Sequence, residues 1–84
     1  MNSKHRKTLI TVFSDPVPRS LEWRRIEILL LAVGCELIEG QGSRIAFKRG
    51  GLRADFHRPH PGKEAKPYQV RAAREFLKKL EVTP

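Results

Sequence analysis

Apolar and polar residues alternate along the chain on both sides of Gly50-Gly51. This pattern is typical of a β-hairpin closed by a two-residue turn with positive φ. The turn fixes the register of the two strands. With Arg49 opposite Leu52, the remaining pairs are Lys48 with Arg53, Phe47 with Ala54, Ala46 with Asp55, Ile45 with Phe56, and Arg44 with His57.

The two faces of this hairpin differ in chemistry, because successive side chains of a strand point to opposite sides. One face is apolar and is expected to lie on the core, with Ile45, Phe47, Ala54 and Phe56. The other is cationic, is expected to face solvent, and carries Arg44, Lys48, Arg53, Asp55 and His57. The hairpin is therefore predicted to present four cations or potential cations on one surface.

Two stretches have apolar residues at helical spacing. The first runs from about Leu21 to Val33, with Ser20 as the predicted N-cap and Gly34 as the stop. The second begins at Pro67, a residue suited to the first helical turn, and runs to about Leu80. Their apolar positions are Trp23, Ile26, Leu29, Leu30 and Val33 in the first, and Val70, Ala73, Phe76, Leu77 and Leu80 in the second.

The remaining segments complete an α+β fold. Residues 35–38 are predicted to form a third strand, and residues 8–13 fit either a short helix or a strand. The predicted order is α-β-β-β-α: a three-stranded antiparallel sheet with two helices packed on its apolar face.

Size and charge narrow the choice of function. The chain has 84 residues, enough for one small domain, and a net charge of +8. This charge favours nucleic acid as a partner over an acidic protein or an anionic membrane.

Cys35 is the only cysteine, which excludes an internal disulfide and a cysteine-based zinc site and fits a reducing cytoplasm. The apolar runs are too short for a signal peptide or a membrane span, so a cytoplasmic protein without a membrane partner is expected.

Several local motifs resemble one family. Trp23 and Leu29-Leu30 in the first helix, Gly42-Ser43 before the second strand, and the loop from His60 to Glu64 are similar to the HicA family of toxins over roughly residues 23–80. The resemblance implies a fold like the double-stranded RNA-binding domain, cleavage of mRNA, and neutralisation by an acidic HicB-like antitoxin. It also divides the chain into an N-terminal arm, residues 1–19, and a HicA-like domain, residues 20–84.

The sequence departs from the family at one position. In familiar members a histidine regarded as catalytic follows the Gly-Ser pair, whereas Arg44 follows it here. A guanidinium stays protonated and cannot transfer a proton, but it can bind phosphate and stabilise a transition state. An imidazole can transfer the proton, and the register places His57 beside Arg44. We therefore take Arg44, His57 and His60 as the catalytic candidates.

The predicted RNA-binding surface combines the cationic strand face with the turn before it and the loop after it: Ser43, Arg44, Lys48, Arg53, Lys63 and Lys66. Simpler interpretations stay open. His57 could pair with Asp55, His60 could hold its loop, and the two loop lysines could be ordinary surface residues. No metal and no small-molecule cofactor is expected. The alternative function is an RNA-binding module that does not cleave.

Overall fold

Three helices and a three-stranded antiparallel sheet make up the fold in the computed structural model, which describes residues 1–84. No helix combines the length and apolar character needed to cross a membrane. The predicted α+β architecture is confirmed, with one additional helix at the N-terminus. The elements are α1 (Ser3–Val12), α2 (Trp23–Ala32), β1 (Glu36–Glu39), β2 (Arg44–Arg49), β3 (Leu52–His57) and α3 (Pro67–Lys79).

The hairpin has the predicted register throughout. β2 and β3 pair from Arg49 opposite Leu52 to Arg44 opposite His57. The turn between them has positive φ at Gly50, +60°, as a two-residue hairpin turn with glycine at its first position requires. β1 lies on the other side of β2, so the strand order is β1-β2-β3.

The core lies between the apolar face of the sheet and the helices. Seventeen buried apolar residues form one cluster, to which all three helices contribute. Phe47 at the centre of β2 is fully buried, and the Phe56 ring packs 6.2 Å from it and 5.0 Å from the Trp23 ring, measured between centroids. Aromatic contacts of this kind connect the sheet to α2 directly.

The start of α2 differs from the prediction. Ser20 is not the N-cap; the cap residue is Glu22, and the helix begins at Trp23. The reason is that the preceding residues are extended and pair with the loop before α3. The Trp23 N–H donates to the Lys63 carbonyl at 2.9 Å, and the Ala65 N–H donates to the Leu21 carbonyl at 2.7 Å. This pairing uses backbone groups that a longer helix would need for itself.

The end of α2 follows the prediction. Gly34 has φ +96°, and two hydrogen bonds close the last turn: Gly34 N–H to the Leu31 carbonyl and Cys35 N–H to the Leu30 carbonyl. These are the two bonds of a Schellman motif, in which glycine adopts the left-handed conformation at low cost. The strand that follows is shifted by one residue from the prediction and runs from Glu36 to Glu39.

The segment of residues 8–13, for which helix and strand were both possible, is helical: residues 8–12 lie in α1, and Phe13 is its C-cap. Leu9 and Val12 are buried in the common core. The C-terminal end of α1 is held by Arg74 of α3, which donates to the carbonyl oxygens of Val12 at 2.9 Å and Ser14 at 2.8 Å. A cation at a helix C-terminus complements both the free carbonyls and the helix dipole.

Arg58 connects three separate parts of the chain. Its guanidinium donates to Glu27 of α2 at 2.8 Å and to Glu39 at the end of β1 at 2.8 Å. Glu27 also accepts from the indole N–H of Trp23. The bonds to Glu27 and Glu39 raise the pKa of Arg58, so the arginine stays charged at every relevant pH. The Glu27 side chain is only 14% exposed, and the hydrogen bonds from Arg58 and Trp23 compensate for the water that its carboxylate has lost.

Replacing Arg58 should destabilise the protein. In Arg58→Met the half-buried Glu27 loses a charged partner, and we expect the free energy of unfolding to fall by about 1–3 kcal/mol. Arg58→Lys should recover only part of this loss, because an ammonium cannot reproduce the forked contact. Urea denaturation measures the free energy of unfolding of both variants. Arg71→Ala, an exposed change on α3, serves as the control and should change stability by less than about 0.5 kcal/mol. Equal stability of Arg58→Met and the wild type would contradict the bridging role.

Replacing Glu81 with glycine should stabilise the protein. Glu81 follows α3 with φ +61°, and the Val82 N–H donates to the Leu77 carbonyl at 2.9 Å, as in the motif at the end of α2. This conformation costs an L-residue about 1–2 kcal/mol, which glycine avoids. Part of that gain is lost, because glycine has greater conformational freedom in the unfolded chain. We expect a gain of roughly 0.5–1 kcal/mol in Glu81→Gly, measured by thermal denaturation, and a loss of stability would contradict it.

Candidate functional site

The face of the sheet that points away from the core is open to solvent. By strand alternation and register it carries two side chains of β1 and three each of β2 and β3: Glu36, Ile38, Arg44, Ala46, Lys48, Arg53, Asp55 and His57. The charged residues and His57 are exposed, Ile38 is half-buried, and Ala46 is buried. We call this surface the open face. It confirms the predicted separation of a cationic face from the apolar one.

A depression of about 420 Å³ lies on the open face. Ala46 forms part of its lining with only 2% of its surface exposed, because longer side chains surround this small one. The lining residues are Ile38, Gly40, Gln41, Arg44, Ile45, Ala46, Arg53, Asp55, Phe56 and His57. Two cations and an imidazole therefore share one concave surface with a carboxylate and four apolar residues.

Arg44 and His57 are opposite each other on neighbouring strands, with both side chains on the open face. Neither side chain has a hydrogen bond or an ion pair within the protein, so both can accept an external ligand. Arg53 is different: its guanidinium contacts Asp55 at 3.0 Å. The predicted alternative of a His57–Asp55 pair is therefore not observed, since Asp55 faces Arg53 instead. Both members of that pair are more than half exposed, so a competing anion can displace the carboxylate at little cost.

The turn before β2 fixes the backbone of Arg44. The Gly40 N–H donates to the Arg44 carbonyl at 2.8 Å, and the Arg44 N–H donates to the Gln41 carbonyl. A Cβ at Gly40 would lie 3.1 Å from the Arg44 carbonyl oxygen, a tight contact that glycine avoids where the chain leaves β1. Ser43 is half-buried in this turn, and its carbonyl accepts a hydrogen bond from the backbone N–H of Arg58 at 2.8 Å.

The backbone of His57 is held from the other side by Gln69. This buried glutamine of α3 donates through Nε2 to the His57 carbonyl at 2.7 Å and accepts from the Lys66 N–H at 2.9 Å. A buried polar side chain that makes both of these hydrogen bonds restricts the movement of the two backbone segments that it joins. Gln69 thus connects the end of β3, where His57 lies, to the first turn of α3.

The structure does not bring all the predicted site residues together. Lys48 is on the open face but outside the depression, and His60 is exposed in the loop that follows β3. Lys63 lines a different groove, together with Trp23 and Arg24 of α2. Lys66 is the N-cap residue of α3, and its side chain is exposed. Only Arg44, Arg53 and His57 meet in the depression.

Some residues that shape the site were not predicted. Gln69 is the third residue of α3, a position where a glutamine side chain often accepts a hydrogen bond from the N–H of the N-cap residue. Because the helix start was predicted at Pro67, this capping role of Gln69 could have been predicted as well. Ala46 was placed in the register, but its part in the depression depends on the size of its neighbours. Arg58 had no local signal, because its partners are 31 and 19 residues away in the chain.

Other chemical groups do not add a second reactive centre. Burial raises the pKa of the Cys35 thiol, against a smaller opposing effect of Arg49. The thiol stays protonated at neutral pH and is a poor nucleophile. No three histidine, cysteine or acidic side chains come together in a way that could hold a metal ion.

Of three comparisons with known proteins, one found a match. A search of curated proteins and a search of solved structures found no match. The family model described as HicA toxin of bacterial toxin-antitoxin matches residues 23–82, which is well over half of the chain. The helices and antiparallel sheet are consistent with the family's fold, which is like that of the double-stranded RNA-binding domain. The chain therefore belongs to the HicA family, the toxins of bacterial toxin-antitoxin systems.

Proposed function

We propose that this toxin is a metal-independent endoribonuclease that cleaves mRNA on the open face of its sheet. The observation that carries the proposal is the arrangement of Arg44 and His57, which are register partners, exposed, and free of internal partners beside one depression. A cation that binds phosphate and an imidazole that transfers protons are the two groups that metal-free RNA cleavage requires. Membership of a toxin family supports the same function.

In the proposed reaction His57 accepts the proton of a ribose 2′-hydroxyl. The 2′ oxygen then forms a bond to the adjacent phosphorus as the bond from phosphorus to the 5′ oxygen breaks. The 5′ oxygen takes up a proton, and the products end in a 2′,3′-cyclic phosphate and a 5′-hydroxyl. His57 or His60 supplies that proton, and His57 has the better position because His60 lies outside the depression.

Arg44 binds the scissile phosphate and stabilises the negative charge that builds on its oxygens. Its side chain is exposed and has no internal ion pair, so little is lost when it turns to the ligand. A planar guanidinium can donate two parallel hydrogen bonds to one phosphate. Arg53 contributes a second cation once the phosphate displaces Asp55, and this displacement is inexpensive for a pair so exposed.

The neighbouring cations track the RNA backbone. Lys48 extends the open face beyond the depression, and Ser43 offers a hydroxyl at the turn before Arg44. Lys63 and Lys66 bind phosphates of a strand that leaves the depression along the loop after β3. Recognition depends on backbone and shape more than on bases, since Tyr68 is the only highly exposed aromatic residue.

The second partner is an acidic antitoxin of the HicB type. The family supplies the expectation of an antitoxin, and the open face supplies a cationic surface that an acidic protein can cover. Complementary charge favours such a complex and directs its orientation. A partner seated on Arg44 and His57 would exclude RNA from the depression by direct competition. Toxin and antitoxin would meet in the cytoplasm, where mRNA is available.

We assign the toxin domain to residues 20–84 and treat residues 1–19 as an arm added to it. The family match, which begins at Trp23, supports this division. The arm contributes α1, which shares the core with the rest of the molecule. The arm is therefore an appended but packed element.

The second candidate function is an RNA-binding module that does not cleave. The observation in its favour is Arg44, which occupies the position where familiar family members have a histidine regarded as catalytic. Phosphate binding by Arg44, Lys48 and Arg53 would survive without proton transfer. A time course of purified protein with RNA in EDTA separates the two functions. Fragments that end in cyclic phosphate identify the nuclease, and a gel shift without fragments identifies the binder.

Removal of the His57 imidazole should abolish proton transfer. We expect His57→Ala to cleave RNA about 10²- to 10⁴-fold more slowly, the usual contribution of a general acid or base. The residue is exposed, so the variant should unfold at the same temperature as the wild type. His60→Ala should lose much less activity, because His60 lies outside the depression. A His57→Ala variant that cleaves RNA and inhibits growth like the wild type would exclude His57 as the essential group.

Introducing a histidine at position 44 tests whether the site can work with either arrangement. Arg44→His in the His57→Ala background places an imidazole where familiar members have one and should restore part of the lost cleavage. Arg44→Met in the same background removes the guanidinium without supplying an imidazole and should restore none. Cleavage rates of the two double variants, measured on one RNA, give the comparison. Equal rates would show that the imidazole at position 44 is not sufficient for proton transfer.

A further inference from the structure

A second cationic surface lies between α1 and α2, on elements that play no part in the open face. A groove of about 310 Å³ is lined by Lys4, His5, Thr8, Glu22, Arg24, Arg25 and Ile28. Three of these residues are permanent cations, one is an imidazole, and only Glu22 is acidic. Lys4, Arg24 and Arg25 are all exposed, and none forms an ion pair within the protein.

This groove is continuous with another at the start of α2. Arg24 and Glu22 line both, and the second groove also includes Lys63 from the loop after β3. The backbone pairing of Trp23 with Lys63 holds that loop against the first turn of α2. Arg58 also lines the second groove, but it is paired with Glu27 and Glu39. The four permanent cations of the two grooves that have no ion pair, Lys4, Arg24, Arg25 and Lys63, form one surface, which we call the cationic belt.

The cationic belt is separate from the candidate active site. It shares no lining residue with the depression on the open face. The loop that contains His60 connects the two regions in the chain, since it begins at His57 and reaches the belt at Lys63. One end of the belt, at Lys4, belongs to the arm outside the family match. A ligand that reaches Lys4 thus contacts a part of this chain beyond the matched domain.

We propose that the cationic belt is a second binding site for the RNA phosphate backbone. The inference rests on the proposed function: the RNA held at Arg44 and His57 continues past the loop after β3 and is bound by Lys63, Arg24, Arg25 and Lys4. The molecule measures only 32 × 31 × 20 Å, so one RNA strand of moderate length can span the distance between the two sites. The arm then increases the length of RNA that the toxin binds.

Phosphate backbone fits the belt better than a protein partner does. The cores of protein interfaces are depleted in charged residues and rich in aromatic ones. The groove between α1 and α2 has one apolar residue, Ile28, and no aromatic residue, and in the second groove Trp23 is buried against Phe56. Exposed, unpaired lysine and arginine side chains are what sequence-independent contact with phosphates requires.

The test measures RNA affinity as a function of salt, in the full chain with His57→Ala to prevent cleavage. Each lost phosphate contact on single-stranded RNA lowers the slope of log K against log salt by about 0.7. The belt variant, Lys4→Ala with Arg24→Ala and Arg25→Ala, should therefore lower the slope by about 2. At about 0.1 M salt its affinity for an RNA of about 16 nucleotides should fall by up to roughly 100-fold.

A control variant removes the same charge elsewhere. Arg71→Ala with Lys78→Ala and Lys79→Ala, on the outer side of α3, should change the slope by less than half as much. A tetranucleotide, too short to reach the belt from the depression, should bind the belt variant and its parent equally. Equal slopes of belt and control variants on the long RNA would overturn the inference while leaving the active site intact. Weaker binding of an acidic protein with unchanged RNA binding would also overturn it and would assign the belt to a protein partner.

No binding of any RNA by the parent protein would reject the proposed function and the inference together. Loss of affinity for the tetranucleotide in the Arg44→Met variant, with the belt intact, locates the first site independently. The two results separate a failure of the belt from a failure of the open face. Thermal denaturation of each variant confirms that the exposed substitutions leave the fold unchanged.

Discussion

The alternation of side chains along the hairpin is the constraint on which this structure depends. One strand residue in two points to the core, so the same six residues of β2 that supply Ile45 and Phe47 to the interior also supply Arg44 and Lys48 to solvent. A shift of one residue in the register would bury the guanidinium and expose the aromatic ring. The energy that holds the core together therefore also fixes the orientation of the candidate catalytic groups. The glycine turn between β2 and β3 determines which residues of the two strands lie opposite each other.

Arginines of this small protein have two kinds of task, and their surroundings determine which. Arg58 and Arg74 are built into the fold: one compensates two carboxylates, and the other binds the free carbonyls at the end of α1. Arg44, Arg24 and Arg25 have no internal partner. Of the 17 lysines and arginines, a few are thus committed to structure and are not available to a ligand. Arg44, Arg24 and Arg25 lie on the open face and in the cationic belt, where a ligand can reach them.

The fold was predictable because its determinants are local. Register, turn and the two helices with a clear apolar stripe, α2 and α3, follow from residue spacing, and Gly34 and Gly50 act where a positive φ is needed. The boundary of α2 was wrong because Leu21 and Glu22 pair with a loop some 40 residues away, which no local pattern reveals. The same limit applies to the site. The neighbourhood of Arg44 and His57 could be predicted from strand pairing, whereas Gln69 behind His57 and the separation of Lys63 from Arg44 depend on how the helices pack.

Ala46 gives the open face a property that the core lacks. Core positions are constrained in volume, because a change of even one methylene disturbs their neighbours. Ala46 is buried, yet it lies on the side of the sheet opposite Phe47, and the space beside it opens to solvent. A larger side chain at position 46 would therefore change the shape of this surface without repacking the interior. The shape of the open face and the packing of the core are thus independent of each other at this position.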